Sequence, residues 1–187
     1  MKIPNHILKK AGEKGTMIHN CIDEYLKTGK IMISDQAKEY PYFDAFLSLH
    51  EHLQNRGLKI HNHEEIAMCK YDIGDEHINL VGTIDLVCEL DGKMAIIDWK
   101  TSSMMTEPEW RLQLSIYKHL VEYTYGHKDV DLYIGWIKKN GEFQLIKFEP
   151  LDNKYMSLLF KMLLPENRVV VDRFNLLLYE IFGDEMK

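Results

Sequence analysis

Cysteine is scarce: Cys21, Cys69 and Cys88 are the three in 187 residues, widely spaced and odd in number. With no C-x-x-C pair they supply neither a disulfide framework nor a structural zinc site, and they fit a reducing, cytoplasmic compartment. No apolar run approaches the roughly 18 residues of a membrane span, and the N-terminal MKIPNHILKK lacks the apolar core of a signal peptide. There is no G-x-x-x-x-G-K-[ST] phosphate loop, so no ATP-driven motor is expected. Repeats, low-complexity tracts and Pro/Gly/Ser-rich linkers are missing too, and one domain over residues 1–187 is the expectation. Positive charge is also in short supply. With 23 Lys and Arg against 29 Asp and Glu the net charge is −6, which excludes the broad basic coat of general nucleic-acid binders.

The chain is 45% hydrophobic and 28% charged, a balance that supports a packed core. Met17, Ile18, Cys21, Ile22, Tyr25 and Leu26 recur at helical spacing, which predicts a helix over 14–26 closed by Gly29. A second helix follows Pro41 and ends at Gly57. The rhythm then changes to strands near 59–71, 77–90 and 93–99, the last two joined at Asp91-Gly92 by a type I′ turn signal. Thr106-Glu107-Pro108-Glu109 reads as a capping box that opens a helix running to Tyr125. Strands near 130–138 and 142–148, a helix capped by Asp152 and ending at Pro165, and a last helix within 170–182 complete the order. This is an α/β (mixed α+β) pattern, a central mixed sheet flanked by helices.

Four groups of residues carry chemistry. Gly82-Thr83-Ile84-Asp85 sets a carboxylate in an apolar strand, where an unpaired charge costs several kcal/mol and calls for a basic partner or a metal. Asp98-Trp99-Lys100 ends the next strand, and the period of two puts Asp98 and Lys100 on one face. Gln113 and Tyr117 lie four apart on one side of a helix, shared with Trp110. Gly15-Thr16-Met17-Ile18-His19 places a histidine on the first helix, with Asp23 one turn later. Singly, each is more often a solvated charge pair or an ordinary amphipathic helix. Together they gather hard oxygen ligands and an imidazole suited to Mg²⁺ or Mn²⁺. Such an ion activates water and neutralises phosphate charge, and Lys100 beside it would orient or deprotonate that water.

This order of motifs resembles the PD-(D/E)XK nuclease superfamily and, within it, the free-standing RecB-type exonucleases of phage or bacteria. The resemblance spans roughly residues 14–126 and implies a restriction-endonuclease-like core. It implies His19, Asp85, Asp98 and the backbone carbonyl of Trp99 as metal ligands, Lys100 as the catalytic lysine, and Gln113 and Tyr117 as supporting catalytic-site residues. Glu64 and Glu65 both qualify for the glutamate that many relatives place on the preceding strand, and Glu65 is preferred. Three cysteines cannot hold the four-cysteine iron–sulfur cluster of some relatives.

The implied reaction is hydrolysis of DNA phosphodiesters from free ends, in single or double strands, in recombination, repair or phage DNA processing. A structure-selective or restriction-type endonuclease and a catalytically silent DNA-binding module are the alternatives, and a homo-oligomer or a recombination partner protein is compatible with either. Lys9, Lys10 and Lys14, in a locally basic segment leading to His19, and Arg111 are candidate DNA contacts. Two divalent ions would bring the charge of −6 to about −2.

Overall fold

The computed structural model describes residues 5–73, 75–161 and 169–170. The chain runs α1 (Asn5–Thr28), α2 (Tyr40–Asn55), β1 (Lys59–Ile73), β2 (Glu76–Leu90), β3 (Lys93–Lys100), α3 (Glu107–Tyr125), β4 (Asp131–Ile137), β5 (Phe143–Phe148), α4 (Asn153–Lys161) and β6 (Val169–Val170). The five main strands are ordered β1-β2-β3-β4-β5 in one mixed sheet, with β6 added beside β2. All pairs of main-strand neighbours are antiparallel except β3–β4, which are parallel because α3 carries the chain across between them.

Helices cover both faces. Ile84, Val87, Ile96, Leu114, Ile116, Leu120 and Ile134 pack between the sheet and α3. On the other face Ile18 and Ile22 of α1 and Phe43, Phe46, Leu49 and Leu53 of α2 meet Leu86, Cys88, Ala95, Ile97 and Trp99. A strand buried on both faces reads as a continuous apolar run, and β3 with its Ala95-Ile96-Ile97 does so.

The expected turns form: Asp91 and Gly92 both have positive φ, 53° and 78°, as a type I′ hairpin demands. Two expectations need correction. The first helix begins at Asn5, nine residues before Lys14. Thr106 stands at the N-cap of α3, but its side chain makes no capping hydrogen bond, so Pro108 and the acidic first turn mark that start instead. The final helix expected within 170–182 lies outside the described residues apart from Val170, which is in β6. Likewise α4 is described only to Lys161, short of Pro165.

Candidate active site

The site lies where the sheet opens. The β2–β3 ladder stops at Leu86↔Ile97, whereas β1–β2 pairing continues past Asp85 and β3–β4 pairing continues to Lys100↔Trp136. Asp85 and Asp98 therefore stand just past the last rung, on strands no longer bonded to each other. Asp85 closes part of the gap with its side chain, its Oδ2 accepting the Trp99 N–H at 2.7 Å.

At the same level the strands change phase. On β2, Ile78, Leu80 and Ile84 face α3, whereas Leu86, Cys88 and Leu90 face α1 and α2. Asp85, which meets His19 of α1, therefore shares a side with the adjacent Leu86. On β1 the register places Glu64 opposite Asp85, between His63↔Leu86 and Glu65↔Ile84. Glu64 has φ 48°, a backbone costing ~1–3 kcal/mol in a residue with a Cβ. Strain of this kind persists where surrounding contacts over-determine it.

His19 Nδ1 lies 3.3 Å from Asp85 Oδ1. Burial alone would push His19 down, but the Asp85 carboxylate overcomes it, and the pKa is held up to about 9. Burial works against Asp85 too, yet the His19 cation, the Lys100 charge and the Trp99 N–H hold its carboxyl below the usual range. Asp98 goes the other way. Burial, reinforced by the Asp85 charge, pushes it up to about 6 despite Lys100. Two neighbouring carboxylates thus have opposed proton affinities, as sites of acid–base chemistry often arrange.

Lys100 Nζ is 2.8 Å from Asp98 Oδ2 and donates to Gln113 Oε1 at 2.6 Å. The Gln113 Nε2 in turn donates to the Tyr117 hydroxyl at 2.9 Å, which fixes the amide with its oxygen towards the ammonium. The Lys100 ammonium forms an ion pair with Asp98 Oδ2, and among the described residues no other side chain or N–H reaches that buried oxygen. A buried carboxylate oxygen so placed fits a cation. The donor set agrees: one ligand atom each of His19, Glu64 and Asp85 lie within 4.8 Å of one another. Hard oxygens plus one imidazole suit Mg²⁺ or Mn²⁺, and the residues fit a divalent ion.

His19, Asp85, Asp98, Lys100, Gln113 and Tyr117 are thus joined by direct contacts or charge coupling. Of the two glutamates that qualify on sequence, Glu64 lies within reach of His19 and Asp85. Glu65 lies one register position on, its Oε2 accepting the Tyr125 hydroxyl of α3. Alternation could not separate the two because it fails at this position.

Other residues stand apart from this cluster. Lys14 donates to the Tyr42 hydroxyl at 2.9 Å and to the Thr101 carbonyl at 3.2 Å, tying α1 to α2 and to the exit of β3. Arg111 donates to the carbonyls of Glu149 at 2.8 Å and Pro150 at 3.3 Å. Lys9 is exposed near Glu13, and Lys10 is exposed. Trp110 is buried edge-on to Trp136.

No helix among the described residues is long and apolar enough to cross a membrane. No curated protein is similar enough to match the chain. Among solved structures, that of SSO0001 aligns over 65% of this chain and 58% of its own, with TM-score 0.39 and 18% identity. A candidate exonuclease of Eubacterium rectale aligns over 86% and 64%, with TM-score 0.47 and 13% identity. The chain thus spans less than two thirds of either protein. The sequence profile of a nuclease family matches residues 2–166, which takes in each residue of the cluster at the sheet opening. By that match the chain belongs to the PD-(D/E)XK nuclease superfamily.

Proposed function

We propose that this chain is a divalent-metal-dependent DNA exonuclease that hydrolyses phosphodiester bonds. The observation that carries the reading is the pair of buried carboxylates, Asp85 with His19 and Glu64 around it and Asp98 ion-paired with Lys100 at 2.8 Å. His19, Glu64, Asp85, Asp98 and the carbonyl of Trp99 would hold the ion. Mg²⁺ or Mn²⁺ bound there supplies a lowered water pKa and compensates the charge that builds on the phosphate.

The protein's own groups do the rest. Lys100 is held between Asp98 and Gln113, aimed by both, so its ammonium can orient the attacking water and stabilise negative charge on the phosphate. Gln113 and Tyr117 keep that ammonium in place from α3. The end of β2–β3 pairing sets Asp85 and Asp98 just past the last rung, on strands no longer bonded to each other. Free thiols at Cys21, Cys69 and Cys88 are compatible with a reducing compartment, and the proposed roles are recombination, repair or phage DNA processing.

Linear and covalently closed circular DNA, single- and double-stranded, incubated with Mg²⁺, Mn²⁺ or EDTA beside Asp98→Ala, test the reading. Metal-dependent loss of linear forms alone supports it. Nicked circles mean an endonuclease, and binding without cleavage means a silent module. Wild-type activity in Asp98→Ala overturns the site.

A further inference from the structure

His63 and Glu64 are consecutive on β1, and in a regular strand they would project from opposite faces. Here both meet the α1 side. His63 Nδ1 lies 2.6 Å from Asp23 Oδ1, while Glu64 groups with His19 and Asp85. The positive φ of Glu64 breaks the alternation, and beyond it Glu65 returns to the α3 side at Tyr125.

On α1, His19, Asp23 and Lys27 are spaced by four and share one face. Asp23 bonds His63 through one carboxylate oxygen and Lys27 through the other. The Asp23 and His63 side chains are 16% and 17% exposed, so the pair is shielded from water more than an ordinary surface bridge. Burial opposes ionisation of Asp23, but hydrogen bonds from Lys27 and His63 hold its carboxyl below the usual range. His63 has no place in the four family motifs, and Asp23 is one turn removed from the nearest.

We propose that the Asp23–His63 pair positions the metal centre: it clamps the phase change of β1 against α1 and so holds the Glu64 carboxylate beside His19 and Asp85. Released from the clamp, β1 relaxes towards regular alternation and Glu64 swings out of the ligand group. The inference rests on the metal-centre reading above and extends it to residues outside the ligand set.

Mn²⁺ binding, followed through the electron paramagnetic resonance of the free ion, tests it without reference to cleavage. Asp23→Asn and His63→Gln should each weaken Mn²⁺ affinity about tenfold, the low end for groups that orient metal ligands. The double variant should lose no more than either single one, because both act through one contact. Lys38→Met, an exposed lysine that pairs with Glu39 and makes no contact with the clamp, should bind as wild type. Thermal unfolding of each variant in EDTA identifies loss of fold, and His63→Gln decides the matter if Asp23→Asn does not fold. Unchanged Mn²⁺ affinity in the clamp variants, with binding lost in Asp85→Ala, overturns the clamp alone. No Mn²⁺ binding by the wild type, or full binding by Asp85→Ala, overturns the metal centre and the clamp with it.

Discussion

Asp98 is buried to 2% exposure and its pKa is pushed up to about 6, so ionising it in the metal-free fold is unfavourable. The unfolded chain releases that proton near the ordinary aspartate value, so this group removes stability as pH rises from about 4 to about 6. Asp98→Asn mimics the neutral form. In EDTA at pH 7.5 it should unfold at higher urea than wild type, by roughly 1–3 kcal/mol, while cleavage falls by at least about 10²-fold. A less stable variant would mean that the Lys100 pair outweighs burial. His19 has the opposite sign. Its pKa of about 9 in the fold means that the Asp85 contact stabilises fully below the free-histidine value and is lost as pH rises through about 9. A metal held by His19 would need the neutral imidazole, so loading such a site at pH 7 would expel this proton. Mn²⁺ affinity should therefore rise from pH 6 to pH 9, and calorimetry in buffers of different ionisation enthalpy should show proton release. Affinity flat over that range would remove His19 from the ligand set.

At the scale of elements, β3 is held in place by what β4 leaves out. A Cβ on Gly135 would lie 2.5 Å from Trp99 Cε3 and 3.0 Å from Leu49 Cδ2, so the Trp99 indole lies directly on the β4 backbone. Phe46 of α2 packs edge-on to the same ring, with centroids 5.5 Å apart. Trp99 sits between Asp98 and Lys100 and gives its N–H to Asp85, so moving it disturbs three site residues together. Gly135→Ala should cost about 1–3 kcal/mol in urea unfolding and reduce kcat more than KM; an unchanged unfolding midpoint would show that the ring has room to move. The strands, the Asp91-Gly92 hairpin and the pairing of Gln113 with Tyr117 were legible because each depends on local spacing or on a turn residue. Glu64 was not. Its place depends on a phase change in two strands at once, which requires the tertiary contacts of α1 and breaks the periodicity by which a sequence is read. The parting of the β2–β3 ladder was hidden for the same reason, since apolar runs on both strands continue through it. Lys14 is the converse case: its charge near the site suggests a phosphate contact, and nothing in the sequence shows its two internal partners, Tyr42 and Thr101.

For the whole molecule, the proposed function asks a chain of net charge −6 to meet a polyanion. The cations around the site are largely committed to partners within the chain. Lys14 is bonded to Tyr42 and Thr101, Lys27 to Asp23, Lys100 is ion-paired with Asp98 and bonded to Gln113, Lys118 is bonded to Glu122, and Arg111 to two carbonyls. Lys9 and Lys10, exposed on α1 ahead of His19, are the cations on that helix best placed to meet phosphates. Each phosphate neutralised on a duplex adds about 0.9 to the slope of log affinity against log salt. Binding of linear duplex DNA should therefore show a shallow slope, measured by fluorescence anisotropy with Mg²⁺ in a Lys100→Ala background that slows cleavage. Replacing Lys9 and Lys10 by alanine should flatten it by about 1–2. Lys14→Met should instead leave the slope as it is and lower the unfolding temperature, because that lysine joins elements of the fold. A steep slope that survives loss of Lys9 and Lys10, or one that falls with Lys14→Met alone, would overturn the assignment of phosphate contact to Lys9 and Lys10.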